Sequence, residues 1–261
     1  MNYDLVICGV GGQGVLSIAW VLDHAAVDAG FHLKQPEVHG MAQRGGAVSA
    51  LVRISDAPIA SDLIPDGTAR MVLSVEPMEG LRYVRTLHPD GWIVTDVTPL
   101  KNVAVYPDTA KLFDVLFSVP RVIALDATRL AHKAGTVKAH NMVMLGAAAP
   151  LLPIAAPLLE EGLRILFADK GQRIVTANVD AFRMGDAASR FTMELVAAGV
   201  PGSVVARIVP RLDFEARPVP GDIAAAWVER LREPGAFAAA ARIFAAGETV
   251  ALDADCAALS G

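Results

Sequence analysis

Apolar positions follow two rhythms along this chain. Leu5–Cys8 is a short apolar run stopped by glycines, residues 15–29 form a mostly apolar helical stretch, and His32–Val38 returns as an extended segment. Ala47–Ile54 (AVSALVRI) and Met71–Val75 (MVLSV) are apolar and rich in strand formers. Trp92–Thr95 and Arg121–Leu125 follow the same style, with a helical pattern over 77–87 before the former. Apolar runs alternating with helices predict a mostly parallel sheet covered on both faces. Residues 1–185 therefore read as one α/β domain with a doubly wound, Rossmann-like sheet.

After Met184 the rhythm changes. Residues 186–261 hold 20 Ala and no Lys. Arg190–Ala198, Ser203–Val209, Ile223–Arg232 and Ala236–Ala246 read as four helices, parted by Pro201, Pro210, Pro218–Pro220 and Pro234. Residues 186–261 are expected to be a helical C-terminal appendage that contacts a partner subunit and does no chemistry, since Ala-rich faces allow close packing but carry few reactive groups.

Residues 141–159 (NMVMLGAAAPLLPIAAPLL) carry no charge and approach the length of a spanning helix. Pro150, Pro153 and Pro157 would each break backbone hydrogen bonds that lipid cannot replace, so two buried helices joined by a Pro-rich turn are expected. The start, Met1-Asn2-Tyr3-Asp4, lacks the positive and long apolar regions of a signal peptide. A cytoplasmic protein with no membrane contact is the expectation. Over 261 residues a net charge of −5 argues against a nucleic-acid partner. The two cysteines, Cys8 and Cys256, cannot build an iron–sulfur cluster or a four-thiolate zinc site. Cys8 ends an apolar run and reads as a buried thiol, and nothing beside Cys256 would activate it. No catalytic residue and no metal site is assigned to the chain.

Gly9-Val10-Gly11-Gly12-Gln13-Gly14 follows the first strand and opens the first helix, which satisfies the G-x-G-x-x-G spacing in its strand–turn–helix setting. Glycines permit positive φ and close backbone approach, and the helix start presents N–H groups to an anion. A dinucleotide site also wants an acid at the end of the second strand. Glu37 stands near that place, but in the turn-like string Pro36-Glu37-Val38-His39-Gly40. Nucleotide or phosphate contact, NAD binding and a purely structural turn all remain open on spacing alone.

The most unusual string is Glu37-Val38-His39-Gly40-Met41-Ala42-Gln43-Arg44-Gly45-Gly46. Arg44 beside Gly45 and Gly46 suits a phosphate or carboxylate, because a guanidinium fork binds it bidentately. A Glu37–Arg44 ion pair that clamps the loop is the plainer alternative. Asn141 reads as a helix cap, and Ser61, after Pro58-Ile59-Ala60, as a turn residue.

GVGGQG at 9–14, EVHGMAQRGG at 37–46, VRI at 52–54 with PIASDLIP at 58–65, and NMVMLGA at 141–147 occur together in this order. Together they resemble the gamma-type domain of 2-oxoacid:ferredoxin oxidoreductases, most closely that of the indolepyruvate-type enzymes. Asn178–Gly185 looks like that domain's closing helix, and the resemblance covers roughly residues 1–190. It implies a subunit of a thiamine diphosphate-dependent complex that converts a 2-oxoacid, with aryl pyruvates favoured, and coenzyme A to acyl-CoA and carbon dioxide. Thiamine diphosphate, Mg2+ and the 4Fe-4S clusters would sit on a larger partner subunit, ferredoxin would take the electrons, and this chain alone would hold no cofactor. The resemblance makes Gly9, Gly11, Gly12, Gln13, Gly14, Glu37, His39, Gln43, Arg44, Gly45 and Gly46 candidate contacts for coenzyme A or for the partner. A free-standing NAD(P)-binding oxidoreductase and a non-catalytic assembly subunit are the alternatives.

Overall fold

The computed structural model describes residues 1–39, 45–103 and 105–253. Its centre is a seven-stranded sheet built from β1 (Asn2–Val10), β2 (His32–Lys34), β3 (Glu37–His39), β4 (Ala47–Ser55), β5 (Ala69–Ser74), β6 (Leu87–Asp96) and β7 (Val122–Leu125). The strand order is β2-β4-β1-β5-β6-β7, and β3 continues the line of β2 along the same side of β4. β1, β5, β6 and β7 run parallel, whereas β4 is antiparallel to β1 and to both short strands.

Alternation along β1 explains why both faces are covered. Leu5 and Ile7 point into one core, Val6 and Cys8 into the other, and all four are fully buried. The larger core is closed by α1 (Val15–Asp28), α5 (His140–Ala148), α6 (Ala156–Phe167) and α7 (Gln172–Ala197). On the other face lie α2 (Pro77–Arg82) and α3 (Thr109–Leu116), which contributes Phe113 and Leu116. Another short helix, α4 (Ala127–Lys133), follows β7. Burial pushes the Cys8 thiol up to about 12, so this sulfur behaves as packing.

The uncharged 141–159 stretch is divided as its prolines predict. It becomes α5, a single 3-10 turn at Ala149–Leu151 and the start of α6. Among the described residues no helix is long and apolar enough to cross a membrane. Helices α5 and α7 pack backbone to backbone. A Cβ built on Gly146 would lie 1.8 Å from the Phe182 carbonyl oxygen, and one on Gly185 would lie 2.0 Å from that of Val143.

Residue 185 falls inside α7, which runs unbroken through 26 residues, so the expected helix at Arg190–Ala198 is its last part. Beyond it come α8 (Gly202–Ile208), β8 (Leu212–Asp213), α9 (Gly221–Leu231), α10 (Ala236–Ala246) and β9 (Val250–Ala251). The two short strands pair with each other in parallel. Helix α8 lies against β7, at the end of the sheet order. Phe244 of α10 meets Phe113 and Phe117 edge-on, with ring centroids 5.1 and 5.3 Å apart. Trp227 of α9 is buried and its Nε1 donates to the Leu252 carbonyl at 2.9 Å. Phe244 thus ties α10 to the α/β body, while Phe237 of the same helix stays half exposed.

Candidate functional site

The glycine loop leaves β1 at the carboxyl end of the parallel strands, where open α/β sheets bind ligands. Its members have separate tasks. Gly9 is pressed under Val75, whose Cγ2 would stand 2.2 Å from a Cβ there. Gly14 has φ of +82° and lies against Asn141, so a side chain there would be both strained and obstructed. Gln13 braces the turn from within. Its Oε1 accepts from the Val10 N–H at 2.8 Å and its Nε2 donates to the Val75 carbonyl at 3.0 Å.

The second loop is tied to the first at Gly11. Gly11 N–H donates to the Gly46 carbonyl at 2.8 Å, and Gly45 N–H donates to the Gly11 carbonyl at 3.2 Å. Asn102 Nδ2 donates to the Gly45 carbonyl at 2.7 Å and fixes this joint from outside. Gln43 and Arg44, together with Gly40, Met41 and Ala42, lie outside the described residues.

Gly11, Gly12 and Gly14 line a cleft of about 420 Å³ with Ser17, His39 and Val48. The Gly14 carbonyl accepts from Ser17 and Ile18, so the first-turn N–H groups of Val15 and Leu16 have no partner inside the helix. A helix start with an imidazole and a hydroxyl beside it can receive an anion. His39 reaches this cleft from β3, where it pairs with Val48.

Glu37 is placed elsewhere. It pairs with Ala50 of β4, and Ala50 pairs with Ile7 of β1. The antiparallel β4 therefore stands between Glu37 and β1, two strand spacings or about 10 Å across the sheet. In a dinucleotide site the acid's strand adjoins the first one, so Glu37 does not occupy the ribose-binding place its spacing had suggested. It accepts from Gln35 Nε2 at 3.0 Å, and its charge, after burial, helps to raise Asp23 of α1 to about 7.

Two residues of α5 reach the loop from behind. Helix α5 begins at His140 with Ala139 as its cap, which corrects the expectation that Asn141 caps it. Asn141 is buried one residue inside, because its amide is needed at the glycine loop, where Nδ2 donates to the Gly14 carbonyl at 3.4 Å. Burial lowers the pKa of His140, against opposing bonds to the carbonyls of Val137 and Gln13. Its imidazole is thereby held in the neutral form at neutral pH. The string NMVMLGA signalled this segment, but only the fold shows its task.

The remaining strand ends carry acids that serve as caps. Glu76 is fully buried, accepts from Glu79 N–H at 2.9 Å and takes the Tyr106 hydroxyl. Asp126 caps α4 through the Arg129 N–H at 2.9 Å. Asp96 Oδ1 accepts from Thr98 and Ala127, and burial, with the nearby Asp126 charge, raises it to about 7.

The segment VRI–PIASDLIP closes on itself around Arg53. Its Nε and Nη2 hold Asp4 at 2.8 and 3.1 Å, while Nη1 donates to the Ser61 and Leu63 carbonyls at 2.9 Å each. Ser61 Oγ accepts from the Leu63 N–H, the turn role expected of it.

Residues 4–188 match the family model described as pyruvate ferredoxin/flavodoxin oxidoreductase. The chain belongs to this family. It is similar to the indolepyruvate oxidoreductase subunit IorB of Pyrococcus horikoshii, 36% identical over 204 residues, or 74% of this chain and 99% of the relative. The IorB subunit of Archaeoglobus fulgidus is likewise 36% identical, over 71% of this chain and 94% of the relative. Among solved structures, the 2-oxoglutarate:ferredoxin oxidoreductase from Magnetococcus marinus, with 2-oxoglutarate, coenzyme A and succinyl-CoA bound, shares the fold. Its TM-score is 0.59 at 20% identity, over 72% of this chain and 31% of that one. The family match stops at residue 188, so α8, α9 and α10 lie beyond it.

Proposed function

We propose that this chain is the smaller subunit of a thiamine diphosphate-dependent 2-oxoacid:ferredoxin oxidoreductase acting on indolepyruvate or related aryl pyruvates. The observation that carries this reading is the 36% identity to IorB subunits over nearly their whole length. In this reading a larger partner subunit holds thiamine diphosphate, Mg2+ and the 4Fe-4S clusters, and ferredoxin receives two electrons. When bound there, thiamine diphosphate supplies the carbanion chemistry of decarboxylation and the clusters accept the electrons.

The donor set of this chain does not fit a cluster of its own. A 4Fe-4S centre needs four thiolates, and the sequence has two cysteines, one of them fully buried with its thiol pushed up to about 12. The chain's contribution is positional. The α1 start, Ser17 and His39 would hold a phosphate of coenzyme A or a carboxylate of the partner in the 420 Å³ cleft. Arg44, five residues after His39 in the sequence, would offer such an anion a bidentate cation. Gln13, Asn141 and Asn102 would keep both loops in register without touching a reactant.

The test is co-expression with the larger subunit and assay of ferredoxin reduction. Turnover should require both chains, an aryl pyruvate and coenzyme A, and His39→Ala should raise the KM for coenzyme A more than it lowers kcat. Nicotinamide-dependent turnover by the isolated chain would overturn the reading in favour of a free-standing oxidoreductase. Absence of turnover with any 2-oxoacid in a correctly assembled complex would leave a purely assembly role instead.

A further inference from the structure

The largest of the clefts described is not at the glycine loop. It has a volume of about 730 Å³ and opens between the carboxyl end of β6 and the C-terminal tail. Val97, Lys101 and Phe113 form the wall from the α/β body, while Arg207, Arg211 and Phe244 form the wall from the tail. Five of its twelve lining residues therefore lie past residue 188, outside the stretch that the family model matches.

Phe113 and Phe244 are the rings in its lining, and Phe117 and Phe237 flank the lining cations without lining the cleft themselves. The Arg207 guanidinium carbon stands 4.9 Å from the Phe237 ring centre and 5.3 Å from that of Phe117. Phe117 meets Phe244 edge-on, and Arg211 stands 5.0 Å over Phe244. Phe113 and Phe244 thus present aromatic surface to the cleft, and the guanidinium groups beside them are held flat at fixed places.

The charges do not cancel. Arg207 is paired with Asp114 at 2.7 Å and Arg211 with Asp126 at 3.2 Å. Lys101, exposed at the rim, has no ion-pair partner among the described residues. A cleft of this size, apolar and aromatic within and positive at its rim, has the features of a site for a small organic anion. A plain inorganic anion would gain nothing from the rings, and a neutral hydrocarbon nothing from Lys101.

We propose that this cleft is a second ligand site, formed jointly by tail and body, that takes a small aromatic carboxylate. The ring stacks on the Phe113–Phe244 wall and the carboxylate meets the Lys101 ammonium. The proposal does not depend on the catalytic reading above, because the site shares none of the lining residues of the glycine-loop cleft.

The test is calorimetric titration of the full-length chain with indole-3-acetate, with acetate and indole as controls. One site per chain is expected, with a Kd of about 1 mM or tighter for a ligand of this size, and markedly weaker binding of both controls. Two variants locate the site. Lys101→Glu reverses the rim charge on an exposed loop residue and should weaken binding at least about tenfold, as loss of a charge-assisted contact does. Ala245→Trp, on an exposed position of α10, should fill the cleft and abolish binding. Both should melt like the parent, and ligand-observed NMR on each provides an independent reading. Failure of indole-3-acetate to saturate the parent chain would overturn the proposal. Equal binding by parent and both folded variants would also overturn it, by placing the ligand elsewhere.

Discussion

Helices α5 and α7 touch through glycines, and a single methyl group should measure how closely. In Gly185→Ala the new Cβ would stand 2.0 Å from the Val143 carbonyl oxygen, whereas real Cβ contacts essentially never fall under 3.0 Å. The obstacle is backbone in the middle of a buried helix, so no side-chain rotation relieves it. The helices must separate by about 1 Å, and a gap of that size forfeits a quarter to a half of the dispersion well for each contact it opens. Val143, Ala147, Phe182 and Ala188 are all at most 1% exposed at this junction and would lose contact together. Overpacking typically costs about 1–3 kcal/mol, and a backbone obstacle belongs at the upper end. Alanine's better helix propensity returns up to about 1 kcal/mol. The expected net loss is about 2–3 kcal/mol, or a Tm lowered by roughly 4–12 °C for a chain of this size. Gly146→Ala, whose Cβ would stand 1.8 Å from the Phe182 carbonyl oxygen, should behave alike. The double variant should cost less than the sum, since separation forced by one methyl accommodates the other. Gly162→Ala is the control, because its Cβ would meet Val21 Cγ1 at a tolerable 3.3 Å. Thermal melts of the four variants at one protein concentration decide the matter. A Gly185→Ala variant as stable as the parent would refute the close approach.

Asp96 makes a pH-dependent contribution. Its folded pKa of about 7 lies above the ordinary carboxylate value of about 3.9, so its stabilising effect is complete below the lower value and lost as pH rises through the upper. Asp96→Asn, which keeps an acceptor for Thr98 and Ala127, should gain on the parent between about pH 4 and 8, by up to about 4 kcal/mol; parallel stability–pH curves would contradict this. Phe244→Ala removes two edge-on ring contacts and should loosen α10, giving faster proteolysis within the tail than in the α/β body. Cleavage at an unchanged rate would show that the contact holds nothing. In the assembled complex, Arg44→Ala should raise the KM for coenzyme A roughly 10- to 150-fold, the equivalent of a charge-assisted bond of about 1.5–3 kcal/mol. An unchanged KM beside a lowered Tm would make Arg44 a structural residue.

Local pattern determined much of this protein. The strands and helices follow the apolar runs because each run must bury itself, and a run apolar on every position must be covered on two sides. The prolines at 150, 153 and 157 divided an uncharged stretch into two helices for reasons of single residues, not of fold. The loops at 9–14 and 37–46 were visible as glycine-rich strings, and with their companion motifs they were enough to indicate the family. Strand order was not visible, because the period of a strand is the same whether its neighbour runs parallel or antiparallel. Only the fold inserts β4 between β1 and β3, and that insertion moves Glu37 away from the glycine loop while leaving His39 on the cleft. Composition suggested a change of character after Met184, yet α7 continues through it, since helix periodicity is blind to how much Ala a helix contains. The work of Gln13, Asn102 and Asn141 was equally hidden. Their partners lie 62, 57 and 127 residues away, and a hydrogen bond over that separation is set by packing of the whole sheet and its helices, which no window of sequence contains.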